Sequence, residues 1–177
     1  MIMDYKLKYN NNTMSNTTIT VLTNDNQKFE VPIVHACRSN TLKNLMGDLS
    51  DNCGNEIPLP QCNGEIFSKI IKYWEHYPTD PDEKDEYNFL EFSKDDAAWN
   101  NEFFELGQEG TLNNHESVLK IILAADYLDY PRLLKHGCKV TADQIKGKTP
   151  QQICEMFKFP MPTEEQLAEA EKQISKK

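Results

Sequence analysis

Two runs of alternating apolar and polar residues stand near the start of the chain, and they predict β-strands. Thr18–Thr23 and residues 27–31 flank a turn sequence at 24–26, which is the arrangement of a β-hairpin. The residues that follow, 33–36, predict a short helix or turn. A further extended piece at 56–60 contains two prolines, which suit a strand at the edge of a sheet.

Apolar residues then recur every three or four positions, which is the spacing of helices that bury one face. Asn40 is predicted to cap the first of these helices and Asn63 the second. A third helix is predicted over 97–106, with Trp99 and Phe103 among the side chains that anchor it.

The densest helical signals lie in the last third of the chain. Ser117 is predicted to cap a helix that is apolar nearly all round, and such a helix is usually buried inside its domain. Pro131 suits the first turn of the next helix, and Gly147 suits its end. A capping box at 149–152 predicts the start of a third helix, and another at 163–166 the start of a last one.

These C-terminal helices carry more apolar side chains than short helices need for packing on one another. On the helix after Pro131, four residues are predicted to share one face: Leu133, Leu134, Cys138 and Ile145. Six residues could line a surface for an amphipathic partner: Leu134, Ile145, Ile153, Met156, Phe157 and Phe159. The spacing leaves two interpretations open, plain core packing and a binding groove.

Length and charge narrow the classes of function. The chain has 177 residues and a formal net charge of -9, which predicts one domain or a domain with an attached subdomain. An acidic chain argues against nucleic acid or an anionic membrane surface as partner, because phosphate binding needs clustered Lys and Arg. No stretch has the apolar length of a membrane span, and residues 1–12 lack the apolar core of a secretory signal.

The cysteines predict free thiols rather than disulfides. There are five, an odd number with irregular spacing, so we expect the protein in the cytoplasm and nucleus. His136 and Cys138 are close in sequence, but residues two apart on a helix do not share a face. Without a Cys-x-x-Cys motif we expect no metal site, and Cys138 is expected to be a small buried apolar residue.

Motifs for catalysis or cofactor binding are not evident in the sequence. It contains neither a phosphate-binding glycine loop nor a Gly-x-Ser-x-Gly elbow. The carboxylates at about 78–96 lack the spacing and the glycine of a calcium-binding EF-hand, so a solvated acidic loop is the better interpretation. We therefore predict no catalytic residue and no cofactor.

Several short motifs in the last third of the chain resemble one protein family. They are LAADYLD at 123–129, the pair Leu133-Leu134, CK at 138–139, and IKGKTP at 145–150 followed by Ile153 and Phe157. In order and spacing they are similar to the S-phase kinase-associated protein family, the Skp-type adaptors that join a cullin to F-box proteins in ubiquitin ligases. The resemblance is looser but collinear elsewhere, and in all it covers about residues 18–173.

The resemblance implies an α+β chain with a BTB/POZ fold, in which a small sheet is flanked by helices, followed by additional C-terminal helices. Residues 1–17 would be a flexible tail, 18–129 a cullin-binding BTB/POZ-like domain with its acidic loop at about 78–96, and 130–177 an F-box-binding extension. The implied role is a non-catalytic adaptor that links F-box substrate receptors to a cullin scaffold in an E3 ubiquitin ligase.

The resemblance also implies which residues meet each partner. The Asn-Tyr pair that the family offers to cullin falls on Asp126 and Tyr127. Trp99 and Phe103 match the neighbouring helix of the cullin site, with core anchoring as an equal alternative. The positions implied for F-box binding, together with Met156 from the apolar pattern, are Leu134, Cys138, Thr141, Ile145, Ile153, Met156, Phe157 and Phe159. Among these, Thr141 and Phe159 stand where the family usually has other apolar residues.

Departures from the family keep a second hypothesis open. Asp126 cannot donate the amide hydrogen bonds of an Asn, and it adds a negative charge. The chain could then be a BTB-type interaction protein that binds F-box proteins without cullin, as a decoy or in a non-ligase complex. The loop at 107–116 is also longer than in the family, and the final helix lacks the family's Trp-Cys ending. Homodimers stay open as well, because BTB folds often self-associate through apolar faces.

Overall fold

The computed structural model of the protein describes residues 18–48, 56–80, 96–106 and 115–174. The predicted tail at 1–17, most of the acidic loop and residues 107–114 lie outside these ranges. The described part contains one three-stranded sheet and eight helices. It is an α+β fold, as predicted.

Strand β1 (Thr18–Thr23) is the central strand of the sheet. β2 (Lys28–Pro32) pairs with it antiparallel, and β3 (Glu56–Leu59) pairs with its other edge in parallel. The predicted hairpin and the edge position of the proline-containing strand are therefore confirmed. In the hairpin turn Asn26 has a φ of 61°, a left-handed conformation that Asn adopts more readily than most residues.

Eight helices make up most of the rest of the described chain. In order they are α1 (Ile33–Ala36), α2 (Asn40–Asp48), α3 (Gly64–His76), α4 (Ala97–Phe103), α5 (His115–Tyr127), α6 (Pro131–Ile145), α7 (Pro150–Phe157) and α8 (Glu164–Ile174).

Helix α3 contributes the largest side chains of the core. Its predicted cap is confirmed, because Asn63 Oδ1 accepts a hydrogen bond from the Ile66 backbone N–H at 2.9 Å. Phe67, Tyr73 and Trp74 have no exposed surface at all. The sheet, α5 and α6 all contribute to the core that these side chains fill.

The cap of α2 is Ser39 and not the predicted Asn40. Ser39 Oγ accepts a hydrogen bond from the Leu42 N–H at 3.1 Å and donates one to the Leu128 carbonyl. Asn40 is the first helical residue, and its side-chain amide donates to Asp129. Serine and asparagine cap helices about equally well, so the tertiary contact with Leu128 decides between them.

Helix α5 begins at His115, two residues before its predicted cap. Ser117 lies inside the first turn, where its hydroxyl accepts a hydrogen bond from Lys69 Nζ at 2.8 Å and lies 3.5 Å from Glu105 Oε1. The prediction of Ser117 as the cap is therefore wrong, because partners from other elements engage its hydroxyl.

Helix α5 buries a broad side but not its whole circumference. Val118, Ile121 and Ala125 are almost completely buried, whereas Leu123 is 68% exposed. The prediction of a helix buried all round is therefore wrong. An apolar residue on the outer side of a helix has the same appearance in the sequence as one on the inner side.

Helix α6 packs along α5 through a face on which Gly137 allows close approach. A Cβ atom at Gly137 would lie 2.6 Å from Ile122 Cγ1. Leu133 and His136 lie buried on the same helix. Leu133 therefore belongs to the core, and its predicted sharing of one face with Leu134 is wrong because adjacent helical residues point about 100° apart.

The predicted end of α6 and the predicted starts of α7 and α8 are confirmed. Gly147 follows α6 with a φ of 74°, the left-handed conformation that favours glycine. Thr149 and Gln152 cap each other's backbone at the start of α7. At the start of α8, Thr163 and Gln166 make the same reciprocal pair of hydrogen bonds.

Candidate protein-docking surfaces

The outer side of α6 carries a row of residues that are not fully buried. Leu134, Cys138, Thr141 and Ile145 follow one another at intervals of three or four residues, so they lie along one side of the helix. Leu134 and Thr141 are half-buried, and Ile145 is 36% exposed. Cys138 is exposed, so its prediction as a buried apolar residue is wrong.

Helix α7 carries a second set of apolar residues that are not fully buried. Ile153, Met156 and Phe157 are half-buried, and none of its residues is fully buried. Phe157 lies edge-on to the ring of His115 at 5.1 Å between ring centres. Phe159 stacks on Phe157 at 5.7 Å and is 56% exposed.

These eight residues are named here the C-terminal surface: Leu134, Cys138, Thr141, Ile145, Ile153, Met156, Phe157 and Phe159. The sequence reasoning missed Met161, which is 49% exposed beyond the end of α7. It also missed His115, whose ring supports Phe157 from α5. Burial, and secondarily the charge of Lys148, lowers the pKa of His115 below its usual value, which favours the neutral ring that packs against an aromatic neighbour.

The pair Asp126 and Tyr127 lies at the other end of α5. Asp126 is exposed, and Tyr127 is half-buried, with its backbone carbonyl accepting a hydrogen bond from Thr41 Oγ1 at 2.9 Å. Burial raises the pKa of the Tyr127 phenol, so the hydroxyl stays protonated. Leu123 stands one helical turn before Asp126 and is 68% exposed, which adds an apolar side chain that the sequence reasoning had placed in the core.

Trp99 and Phe103 lie in a cluster of rings between α3, α4 and α6, which is named here the aromatic cluster. Its members are Tyr73, Tyr77, Trp99, Phe103, Phe104, Tyr130 and His136. Phe103 is 9% exposed and stacks on Trp99 at 4.9 Å. Trp99 is half-buried and also stacks on His76 at 3.8 Å. Phe103 is therefore mainly a core residue, whereas Trp99 keeps a face near the surface.

A cavity of about 430 Å³ opens beside Trp99 and Phe103. Its other lining residues are charged or titratable: Lys69, Lys72, Glu75, His76, Glu102 and Glu105. Lys69 Nζ and Glu105 Oε1 pair at 2.5 Å, so part of this charge is neutralised locally. The cavity is open and of mixed charge, which fits protein side chains better than one defined small ligand.

Two features of the described residues bear on chemical reactivity. Burial raises the pKa of the Cys62 thiol to about 12, so this cysteine is not a nucleophile near neutral pH. Within the described ranges no group of three or more His, Cys, Asp or Glu residues could hold a metal ion. No helix there is long and apolar enough to cross a membrane.

The fold and these surfaces agree with one class of protein in comparisons with known families. A family model described as "Skp1 family, tetramerisation domain" matches residues 17–79. A second, described as "Skp1 family, dimerisation domain", matches residues 131–177. The two matches cover the strands with α1 to α3, and the helices that carry the C-terminal surface. The chain belongs to the Skp1 family.

Individual relatives are similar over most of their length. The "E3 ubiquitin ligase complex SCF subunit sconC" of Arthroderma benhamiae is 35% identical over 141 residues, which cover 78% of this chain and 81% of that protein. The "SKP1-like protein 18" of Arabidopsis thaliana is 35% identical, with 81% and 85% covered. The "Suppressor of kinetochore protein 1" of Schizosaccharomyces pombe is 32% identical, with 80% and 85% covered.

Proposed function

We propose that this protein is a non-catalytic adaptor that links F-box substrate receptors to a cullin scaffold in an E3 ubiquitin ligase complex. The proposal is supported by membership of the Skp1 family and by relatives whose names place them as subunits of such a complex. The protein would hold two other proteins in a fixed arrangement and do no chemistry itself.

The observation that carries the proposal is the C-terminal surface. Short helices at the end of a chain normally bury their apolar side chains, yet Ile145 and Phe159 are 36% and 56% exposed. Contiguous apolar side chains that remain accessible mark a protein interaction site. A bundle of amphipathic helices such as an F-box would cover this surface by placing its own apolar face on it.

The proposed cullin contact is the strip of α5 that ends in Asp126 and Tyr127. Leu123 extends the strip by one turn and supplies the apolar part of the contact. Trp99 and Phe103 are proposed to contribute through Trp99, since Phe103 is mostly buried. Aromatic side chains at the centre of an interface commonly carry a large share of the binding energy.

Affinity capture from the source cells tests the adaptor role. The tagged protein is isolated and its partners are identified by mass spectrometry, with cullins and F-box proteins scored separately. We expect to recover both. Recovery of neither class would overturn the proposal, and recovery of F-box proteins alone would favour the second function below.

The second candidate function is binding of F-box proteins without cullin, and the exposed carboxylate of Asp126 favours it. A carboxylate has no N–H to donate and is charged at neutral pH. On this hypothesis Asp126→Asn lowers the Kd for cullin by about tenfold or more, because it removes a charge and restores an amide donor, and a buried polar group left without a partner costs about 1–3 kcal/mol.

The measurement is titration of purified cullin N-terminal domain against the two proteins. Asp143→Asn is the matched control, because Asp143 is an exposed carboxylate on α6 that pairs with Lys139. Equal Kd values for the unaltered protein and Asp126→Asn would remove the reason for the second function.

We further propose that the protein acts in the cytoplasm and nucleus and can form homodimers. The first proposal is supported by free thiols at Cys37, Cys62, Cys138 and Cys154. The second is supported by the description of the matched C-terminal family unit as a dimerisation domain. Imaging of a fluorescent fusion tests the location, and light scattering of the purified chain over a range of concentrations tests the dimer.

A further inference from the structure

Asp80 is the acceptor in a dense set of hydrogen bonds just after α3. Its carboxylate accepts from Arg38 Nε at 2.8 Å, from Arg38 Nη2 at 2.6 Å and from the Tyr130 hydroxyl at 2.9 Å. A guanidinium that binds both oxygens of one carboxylate has a fixed orientation as well as a strong attraction. Asp80 therefore fixes the positions of two side chains that come from distant parts of the sequence.

Arg38 is buried and already held by other groups. Only 8% of its side chain is exposed, and Nη1 donates to the Trp74 carbonyl at 3.1 Å. Burial alone would lower the pKa of Arg38, but the hydrogen bonds and charge of Asp80, with Tyr130, raise its pKa above the ordinary value. A buried cation without its carboxylate partner is strongly unfavourable, so Arg38 depends on Asp80.

Arg132 brings the first turn of α6 to the same place. Its guanidinium lies 4.1 Å from the centre of the Tyr77 ring, donates to the Thr79 carbonyl, and lies 3.8 Å from Asp80 Oδ1. A cation over an aromatic ring is attracted to the ring face. Arg132 at the start of α6 thus contacts three groups at the end of α3 or just after it: the Tyr77 ring, the Thr79 carbonyl and the Asp80 carboxylate.

The set of contacts made by Arg38, Asp80, Tyr130 and Arg132 joins the two parts of the chain that match the Skp1 family separately. Arg38 lies between α1 and α2, whereas Tyr130 and Arg132 lie at the start of α6, which carries half of the C-terminal surface. The backbone between α5 and α6 turns at Asp129, which has a φ of 45°. The contacts of Tyr130 and Arg132 therefore lie at the point where the chain changes direction into α6.

We propose that Asp80 is a positioning residue that fixes the direction in which α6 leaves the sheet-bearing part of the molecule, and so fixes the placement of the C-terminal surface. The role is intramolecular and holds for whichever partner covers that surface. Its consequence for F-box binding rests on the proposed function.

Amide hydrogen exchange on Asp80→Ala tests the proposal without any partner. We expect exchange at residues 131–145 to become faster by at least about tenfold more than exchange in the hairpin at 18–32, because Asp80→Ala removes several charged hydrogen bonds at the start of α6. Glu30→Ala is the matched control, because Glu30 is an exposed carboxylate on β2, and it should change neither region.

Chemical rescue tests whether the effect comes from the missing carboxylate itself, while the comparison of α6 with the hairpin separates positioning from a general loss of stability. One third of the Asp80 side chain is exposed (33%), so a small carboxylate can reach the space left by Asp80→Ala. Sodium acetate at 50 mM should restore slow exchange at 131–145 relative to sodium chloride of equal ionic strength. Equal acceleration in the hairpin and in α6, or exchange at 131–145 that matches the unaltered protein, would overturn the proposal.

A binding measurement then distinguishes this inference from the proposed function. With an F-box protein from the capture experiment, Asp80→Ala should raise the Kd about tenfold and leave the Kd for cullin within twofold. An unaltered protein that binds no F-box protein contradicts the proposed function and leaves the exchange result to decide the role of Asp80. If Asp80→Ala and the unaltered protein bind the F-box protein with equal affinity while exchange changes as expected, the direction of α6 does not govern F-box binding. That result would overturn the proposed consequence for binding.

Discussion

His136 is a histidine held inside the aromatic cluster, where Nδ1 lies 2.8 Å from the Tyr73 hydroxyl. Burial, and secondarily the charge of Arg132, lowers its pKa from 6.5 to about 3. The unfolded chain therefore binds a proton near pH 6.5 that the folded protein does not bind until about pH 3. The stability that follows from a neutral His136 is fully present above pH 6.5 and is lost as the pH falls through this window.

Urea unfolding at pH 7.5, 6 and 5 checks this expectation in the unaltered protein and in His136→Phe. The free energy of unfolding should fall more steeply with acid in the unaltered protein, by up to about 1.4 kcal/mol per pH unit below pH 6.5. Phenylalanine keeps a ring in the cluster but does not titrate, and the other histidines are common to both proteins. Parallel slopes would show that His136 is protonated equally easily in the folded and unfolded states.

Residue identities predicted caps well where the capping group had no competing partner. Asn63, Thr149 and Thr163 each cap the helix that the sequence assigned to them. Ser117 is not the cap because its hydroxyl accepts from the partly buried Lys69. Asn40 is not the cap because Ser39, whose hydroxyl donates to the Leu128 carbonyl, takes that role. These partners lie far away in the sequence, so a local sequence pattern cannot predict that they will bind a potential capping residue.

Two helices, α5 and α6, pack against each other at Gly137, where Ile122 leaves no room for a Cβ atom. Alanine favours helices over glycine by about 1 kcal/mol, yet its Cβ would lie 2.6 Å from Ile122 Cγ1. Overpacking of this kind usually costs about 1–3 kcal/mol. We therefore expect Gly137→Ala to lower the free energy of unfolding, as measured by urea titration.

Two further variants test whether the loss of stability in Gly137→Ala comes from overpacking against Ile122. Adding Ile122→Ala to Gly137→Ala removes the clashing atom, so the double variant should be more stable than the sum of the two single changes predicts. Cys138→Ala, at the next and exposed position, should stay within about 0.5 kcal/mol of the unaltered protein. A stabilising Gly137→Ala would mean that α6 shifts away from α5 at little cost.

Helical periodicity located the elements but not the side of each helix that faces water. Leu133 and Leu134 are both apolar and adjacent, and only the packing against α5 shows that Leu133 is the core residue. Leu123 likewise lies on a helix that was predicted to be buried, yet it is 68% exposed. A helix that carries both a core face and a docking face looks apolar all round, because both faces need the same residue types.

At the scale of the whole molecule, accessible apolar side chains are concentrated in the C-terminal half. Leu123, Ile145, Phe159 and Met161 are all in that half, and Val34 is the large exposed apolar residue elsewhere in the described chain. We expect Phe159→Glu to weaken F-box binding by at least about thirtyfold, since an aromatic anchor in an interface carries about 2 kcal/mol or more.

Val34→Glu provides the matched control, because Val34 is 46% exposed on α1 and receives the same charge. Calorimetric titration with an F-box protein should give a near-normal Kd for this variant, and both variants should unfold at nearly the same temperature. Equal weakening by the two substitutions would point to added negative charge, rather than to the C-terminal surface, as the cause.

The architecture could be predicted further than the function of single residues. The hairpin, the edge strand, the α+β class and the helical C-terminal part all follow from patterns within the chain and from the resemblance of 123–150 to the Skp family. The contacts of Asp80 with Arg38 and Tyr130 could not be predicted, because they join residues 42 and 50 positions apart and no periodic pattern links them. Asp80 lies in the predicted loop and is exposed, but the loop interpretation did not include the hydrogen bonds that its carboxylate accepts from Arg38 and Tyr130.

Helix α5 connects the proposed F-box contact at one of its ends with the proposed cullin contact at the other. Its first residue, His115, supports Phe157 of the C-terminal surface, and its last two residues are Asp126 and Tyr127. Thirteen helical residues rise about 20 Å. In the proposed complex the length of α5 therefore sets the distance between the F-box protein and the cullin. The adaptor acts as a spacer of defined length between these two partners.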